Sequence, residues 1–371
     1  MNPLKVLTIF GTRPEAVKMA PVVKELARRP GIEAKVCVTA QHRQMLDQVL
    51  DIFQITPDID LNLMQPNQSL AALTARVFTH LEPVLSEIQP DWVLVQGDTT
   101  TVMAAALLAF YHQIKVGHVE AGLRTGDKFQ PFPEEINRRV AGVVADLHFA
   151  PTEWSRQNLL RENTPDKQVI VTGNPAIDAL QWVVKQPFDI HSLQIPSLGR
   201  SEVRTVLVTA HRRENFGQPL ENICHSINWM ANHYAGTVHF VYPVHLNPNV
   251  QEPAYRILGN QPHVTLLAPI DYLSLMNIMK HATLVLTDSG GIQEEAPGLG
   301  VPTLVLREIT ERPEGVQAGT LKLIGTDPDV IITETRRLLD DPVARAAMAG
   351  AKNPYGDGHA AERIVDAILR F

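Results

Sequence analysis

The feature that most constrains the fold is a series of short, uninterrupted apolar runs, each followed by a helix-compatible stretch, laid down twice along the chain. In the first half the runs are Leu4–Phe10, Lys35–Thr39, Trp92–Gln96 and Lys115–Glu120. Strands that read as continuous apolar segments are buried on both faces, as in a parallel sheet covered by its crossover helices. Helices are expected at Pro14–Arg29, Met45–Phe53 and Leu70–Glu87, with an alanine-rich helix after Gly97-Asp98-Thr99-Thr100-Thr101. Periodicity fails across Val183–Arg204, a stretch containing Pro, Gly and Ser that suits a domain junction. The pattern then restarts with Val206–Thr209, Val238–Val244, Val264–Ala268, Leu284–Thr287 and Thr303–Leu306. A chain of 371 residues also exceeds what one core usually supports. The expected fold is therefore α/β, with two doubly wound Rossmann-like domains and ligands held in a central cleft beyond the carboxyl ends of the strands. The segment Ala360–Phe371 reads as an amphipathic helix.

Charge excludes some partners. There are 33 Lys+Arg against 40 Asp+Glu, a net charge of −7, with no long run of either sign. Neither nucleic-acid nor membrane binding through bulk charge is indicated. No apolar run is long enough to span a bilayer, and the first strand begins too early to leave room for a signal peptide. A soluble, cytoplasmic protein is expected. Cys37 and Cys224 read as two buried thiols of a reducing compartment rather than a disulfide framework.

Chemistry is concentrated where apolar runs end. Leu284-Val-Leu-Thr-Asp-Ser-Gly-Gly-Ile-Gln-Glu-Glu295 passes from a strand through glycines into a helix. Free N–H groups at a helix start attract anions, and Gly290 and Gly291 allow close backbone approach. Glu294 and Glu295 would repel a phosphate beside them. The conflict disappears if the anion sits at the helix tip while a carboxylate one turn on grips hydroxyls such as those of a ribose. That points to a nucleotide or nucleotide-sugar, with an ordinary capped turn as the plainer reading. In Gly11-Thr12-Arg13-Pro14-Glu15-Ala16, Thr12 and Glu15 have capping-box spacing, whereas capping does not explain Arg13. Arg13 and Lys18 are expected to meet an anion.

Asp98 could merely cap the helix at Thr100. Gly117-His-Val-Glu-Ala-Gly-Leu-Arg124 and Pro131-Phe-Pro-Glu-Glu-Ile-Asn-Arg-Arg139 add Glu120 and Glu134, so three carboxylates stand at three element ends. A shared acid/base site is expected from them. A divalent cation held by oxygen ligands plus His118 ranks lower, because no HExxH-type pair is present. His211-Arg212-Arg213-Glu214-Asn215, Tyr242-Pro-Val-His245 and Arg312 in Thr310–Gly315 supply basic groups after strands of the second half. No Walker sequence, no G-x-G-x-x-G after the first strand and no G-x-S-x-G elbow occurs, so neither a nicotinamide cofactor nor a serine nucleophile is indicated.

Taken together, GTRPEA, TAQHR (Thr39–Arg43), GDTTT, GHVEAGLRTGD, PFPEE, TAHRREN, YPVHLNP, LTDSGGIQEEAP and TERPEG closely resemble the bacterial non-hydrolysing UDP-N-acetylglucosamine 2-epimerases, nearly end to end. The resemblance implies a glycosyltransferase-B-like fold. Residues 1–172 plus a returning helix at about 356–371 would form one domain, and residues 173–355 the other. It implies cofactor-free, metal-free interconversion of UDP-GlcNAc and UDP-ManNAc, usually by a homodimer. Position by position, Asp98, Glu120 and Glu134 match the acid/base carboxylates and His211 a catalytic or diphosphate-stabilising histidine. Arg13, Lys18, Arg138, Ser289, Gly290, Gly291, Glu295 and Arg312 match substrate-binding positions. Gln41, His42, Gln44, Arg213 and His245 fall in motifs linked with a second UDP-GlcNAc acting as an allosteric activator. One departure is Gln96, where family members often carry histidine. A glycosyltransferase of the same fold, a hydrolysing epimerase and a non-catalytic nucleotide-sugar sensor are the alternatives. The three retained carboxylates argue against the sensor.

Overall fold

Two parallel sheets form where the apolar runs fall. The computed structural model describes residues 3–39, 43–65, 68–200 and 202–371, the side chains of 43–45 excepted. The chain divides into two compact units, Met1–Gln181 with Tyr355–Phe371, and Trp182–Pro354. In the first unit the order is β1 (Leu4–Phe10), α1 (Arg13–Arg28), β2 (Ile32–Val38), α2 (Arg43–Phe53), β3 (Ile59–Asp60), α3 (Leu70–Ile88), β4 (Trp92–Gln96) and α4 (Thr100–Tyr111). There follow β5 (Lys115–Val119), α5 (Glu134–Val144), β6 (Leu147–Ala150), α6 (Glu153–Arg161), β7 (Val169–Val171) and α7 (Pro175–Val183). The seven strands align β3-β2-β1-β4-β5-β6-β7, all parallel. Strand order reverses between β1 and β4, which makes their carboxyl ends the expected ligand edge of such a sheet.

The second unit repeats the arrangement. It contains β8 (Arg204–Thr209), α8 (Gln218–His233), β9 (Val238–Pro243), α9 (Pro248–Leu258), β10 (Val264–Leu267), α10 (Tyr272–Lys280), β11 (Leu284–Thr287) and α11 (Ile292–Gly298). Then come β12 (Thr303–Val305), α12 (Pro313–Gln317), β13 (Leu321–Leu323), α13 (Pro328–Asp340) and α14 (Pro342–Ala349). Its sheet runs β10-β9-β8-β11-β12-β13, again parallel, with the reversal between β8 and β11. Val206, Val208, Phe240, Tyr242, Leu284 and Leu286 lie at the centre of its core. The strands that sequence periodicity did not reveal are β3, β6, β7 and β13, of two to four residues each. Runs that short carry no measurable period.

The last helix, α15 (Ala360–Arg370), belongs to the first unit. It packs on α1, burying Ile364, Val365 and Ile368. Arg29 pairs with Asp366 at 2.7 Å, and Asp178 accepts the Ala361 N–H at 2.8 Å. The first unit runs to Gln181, nine residues beyond the expected 172, and within that stretch Asp178 ties α7 to α15. The departing and returning segments meet at Gly173, with φ +86°, and Gly356, with φ +135°. A Cβ on Gly173 would stand 3.2 Å from the α-carbon of Gly356, so the approach needs glycine.

Candidate active site

The first cluster is built on the carboxyl edge of β1, β4 and β5. After β1 the capping box forms as the spacing requires. Thr12 Oγ1 accepts from the Glu15 N–H, and Glu15 Oε2 accepts the Thr12 and Gly11 N–H groups at 2.6 and 2.8 Å. Burial pushes the Glu15 carboxyl up, against the Thr99 hydroxyl and these backbone donors. Glu15 is thus structural. One turn further along α1, Lys18 reaches Glu120 Oε1 at 2.5 Å. Lys18 is therefore committed to a carboxylate within the protein, rather than standing apart as a cation beside Arg13.

Glu120 immediately follows β5 and has φ +61°, a left-handed conformation uncommon for a residue with a Cβ. Besides Lys18, it accepts hydrogen bonds from Asn174 Nδ2 at 2.8 Å, on Oε1, and from Gln96 Nε2, on Oε2. Asp98 does not cap α4; Thr99 does, accepting from the Val102 N–H. The Asp98 carboxylate instead receives Arg138 NH2 at 2.5 Å, and Asn137 Nδ2 donates to its backbone carbonyl at 2.9 Å. Burial raises the Asp98 carboxyl above its ordinary range. Arg138 and Lys18 oppose that shift, and the Glu120 charge adds to it. Asp98, Glu120, Lys18 and Arg138 therefore form one electrostatic group, with the two carboxylates in different surroundings.

The helix α5 supplies the remaining acids in two roles. Glu135, fully buried, accepts the Thr125 and Gly126 N–H groups and Arg138 NH1, so it secures the loop after Glu120. Glu134 places a buried Oε2 that has no hydrogen-bond partner among the described residues. His118 turns away from this chemistry: its Nε2 contacts the Gly97 carbonyl at 2.7 Å, and burial lowers it to about 4. Among the described residues, no group of three or more His, Cys, Asp or Glu side chains is assembled that could hold a metal ion.

The second cluster lies on the carboxyl edge of β8 and β11. Asp288, fully buried, accepts the backbone N–H groups of His211 and Arg212, both at 2.8 Å, and Asn215 Nδ2 at 3.0 Å. It thereby fixes the turn that carries the basic residues. His211 Nδ1 lies 3.6 Å from Asp288 Oδ1, too far for a hydrogen bond, and its ring stacks on His245 with centroids 5.5 Å apart. Burial lowers the His211 imidazole, with Asp288 opposing and His245 and Arg212 adding to the shift. Gly290 is hemmed by cations: a Cβ there would meet Arg312 NH1 at 2.8 Å and Arg212 NH2 at 3.3 Å. Arg312 is held by Glu294 at 2.5 Å and Glu311 at 3.1 Å. The acidic residues of this helix are thus engaged, since Glu295 Oε1 accepts from the Tyr272 hydroxyl at 2.9 Å. Ser289 N–H is turned back to Thr287 Oγ1.

A family model described as UDP-N-acetylglucosamine 2-epimerase matches residues 24–369. The UDP-N-acetylglucosamine 2-epimerase of Escherichia coli K12 is 55% identical over 370 residues, 98% of each chain. The chain belongs to the UDP-N-acetylglucosamine 2-epimerase family. The Bacillus subtilis enzyme of that name is 53% identical over 369 residues, spanning 100% of this chain and 96% of its own. A crystal structure of UDP-GlcNAc 2-epimerase from Neisseria meningitidis, bound to UDP-GlcNAc, superposes with a TM-score of 0.89 at 49% identity, covering 99% of this chain and 100% of that one. The two doubly wound domains of this epimerase-family member are those of the glycosyltransferase-B-like fold.

Of the expected allosteric positions in this epimerase-family chain, Gln41, His42 and the Gln44 side chain lie outside the described residues. Arg213 is exposed on a 3₁₀ turn, and exposed His245 stacks on His211. Arg13 is half-buried at the start of α1. Sequence reasoning missed Asn174, Asp288 and Tyr272 as site-building residues. A Gly-Asn-Pro turn directly after a short apolar run was the available signal for Asn174, and the strand-end Asp of LTDSGG the signal for Asp288.

Proposed function

We propose that this protein interconverts UDP-GlcNAc and UDP-ManNAc by inverting C2 of the sugar, without hydrolysis. The observation that carries the reading is the carboxylate pair Asp98 and Glu120, placed in one electrostatic group but in different surroundings. Family membership supplies the substrate class: a relative of this fold is described with UDP-GlcNAc bound. The C2 proton is weakly acidic, since no carbonyl activates it directly. Elimination removes the difficulty. A carboxylate takes the C2 proton, the C2–H electron pair becomes the C1=C2 bond, and the C1–O bond breaks with its pair leaving on the UDP diphosphate. The 2-acetamidoglucal then receives a proton at C2 from the opposite face while a diphosphate oxygen returns to C1.

In this reading the first unit handles the sugar, with Asp98, Glu120 and Glu134 as acid/base groups and Arg13 and Arg138 as cations near them. The second unit holds UDP. Arg212, Arg312 and His211 stabilise diphosphate charge, Ser289, Gly290 and Gly291 permit close approach, and Glu295 takes ribose hydroxyls. His211, with its imidazole lowered, is neutral at neutral pH and gains a proton more readily as diphosphate charge develops beside it. The wider assignments are a cytoplasmic homodimer, activated by a second UDP-GlcNAc at Gln41, His42, Gln44, Arg213 and His245, that supplies ManNAc units to surface polysaccharide.

The test is proton NMR of the protein with UDP-GlcNAc in D2O, without added metal or nicotinamide. UDP-ManNAc carrying deuterium at C2 is the expected product. Free ManNAc with UDP would make the chain a hydrolysing enzyme, and an unchanged spectrum with ligand bound would end the epimerase reading.

A further inference from the structure

We propose that Gln96 and Asn174 are positioning residues that hold Glu120 in one orientation and in its ionised form, making it the fixed anion of the acid/base set. The inference rests on the epimerase reading above and deepens it. Gln96 and Asn174 are 2% and 1% exposed, Glu120 is 6% exposed, and neither amide titrates. Together with Lys18 they place at least three donors on the two carboxylate oxygens. Donors favour the charged form of an acid and disfavour the protonated form.

Asn174 adds direction. Its Oδ1 accepts the Ala176 N–H at 3.0 Å, capping α7, while its own backbone N–H donates to the Tyr355 carbonyl at 2.7 Å. The amide therefore cannot rotate its oxygen toward Glu120 without uncapping a helix. Only Nδ2 is available, so a protonated Glu120 Oε1 would meet a donor rather than an acceptor. Gln96, buried on β4, directs its Nε2 donor at the other carboxylate oxygen, Oε2. The left-handed backbone at Glu120 aims the side chain, and the two amides hold it there. Among the described residues, the charged and titratable groups near Glu120 include Lys18 from α1 and Asp98 from the turn after β4, while His118 of β5 turns its Nε2 to the Gly97 carbonyl. Arg138 acts through Asp98, and the turn between β7 and α7 contributes the neutral Asn174. Burial raises the Asp98 carboxyl above its ordinary range, with Arg138 and Lys18 opposing the shift, whereas Glu120 is held by at least three donors.

Two variants test this. Asn174→Asp keeps the Oδ1 cap and replaces the donor by a second carboxylate; Gln96→Met keeps length and removes the donor. The primary readout is the Glu120 carboxyl resonance in protein labelled with ¹³C at glutamate side-chain carboxyls, assigned by its loss in Glu120→Gln. The titration midpoint should lie higher in each variant than in wild type, by about one pH unit or more. In turnover, the acid limb of kcat/KM should rise in parallel, kcat at neutral pH should fall about tenfold, and KM should stay within about threefold. A Glu120 midpoint that does not move in folded variants overturns the proposal; if Asn174→Asp fails to fold, Gln96→Met decides alone. Loss of activity with an unmoved midpoint also overturns it. Wild-type protein that never epimerises UDP-GlcNAc refutes the functional reading instead, while the carboxyl titration still decides the positioning claim.

Discussion

Replacing Arg138 by methionine deprives two carboxylates of one cation. The guanidinium, 7% exposed, donates to Asp98 at 2.5 Å and to Glu135 at 3.3 Å. Breaking a fully buried ion pair from one side costs about 3–5 kcal/mol. Two features reduce that figure. The Asp98 side chain is 27% exposed, and Glu135 keeps the Thr125 and Gly126 N–H donors. A loss of about 2–3 kcal/mol remains. For a unit of this size that is a fall of roughly 4–12 °C in the melting temperature. Calorimetry is the assay, because two units need not unfold in one transition and the affected one must be identified.

The pH dependence has a definite sign. The folded-state Asp98 carboxyl already lies above its ordinary 3.8, mainly through burial, and loses its chief opposing charge in the variant. A carboxyl raised by folding costs stability once the pH exceeds its unfolded value, fully so above its folded value. The Arg138→Met deficit is therefore larger at about pH 8 than at about pH 4. Arg138→Lys, which keeps charge but not the two-pronged geometry, should recover roughly half of it. A deficit below about 1 °C, or one equal at both pH values, refutes the argument.

Gly290→Ala should weaken UDP binding about tenfold or more in isothermal titration, because its Cβ displaces a buttressed Arg312; unchanged affinity removes this turn from the UDP site. Asp178, pushed up to about 6 by burial, loses stability as pH rises from its ordinary 3.8 through about 6. Asp178→Asn keeps an acceptor for the Ala361 N–H, so it should melt higher than wild type at about pH 8, by up to about 2–3 kcal/mol, and level with it near pH 4. A lower melting point at both values would contradict this. Cys37 and Cys224, each buried and pushed up to about 12, should give no fast reaction with an aromatic disulfide in the native state and two equivalents after denaturation. A native thiol that reacts at once would show that a core opens.

The long apolar strands, the two-sheet architecture and the strand-end motifs were all readable in the sequence, because continuous burial leaves an unmistakable run of apolar residues. What escaped were relations between distant positions. Whether Asp98 capped α4 or faced α5 could not be decided from spacing, since Thr99 is equally able to cap and Arg138 lies forty residues away. Lys18 resembles any cation near a helix start until Glu120, 102 residues on, is seen to take it. Asn174 follows a three-residue strand with too few positions to show a period, and its partner is 54 residues back. The tie between Asp178 and α15 is hidden in the same way, since it joins segments 183 residues apart.

The return of residues 355–371 to the first unit has a consequence for biosynthesis. A ribosome makes the seven strands of the first sheet before any of residues 182–354, and domains ordinarily fold as they emerge. Here the earlier unit must wait. The face of α1 that receives Ile364, Val365 and Ile368 stays uncovered while the whole later unit is synthesised. The domain begun first is completed last, so the nascent chain carries an open apolar seam through most of its translation, and damage at residues 355–371 would be felt at the opposite end of the sequence.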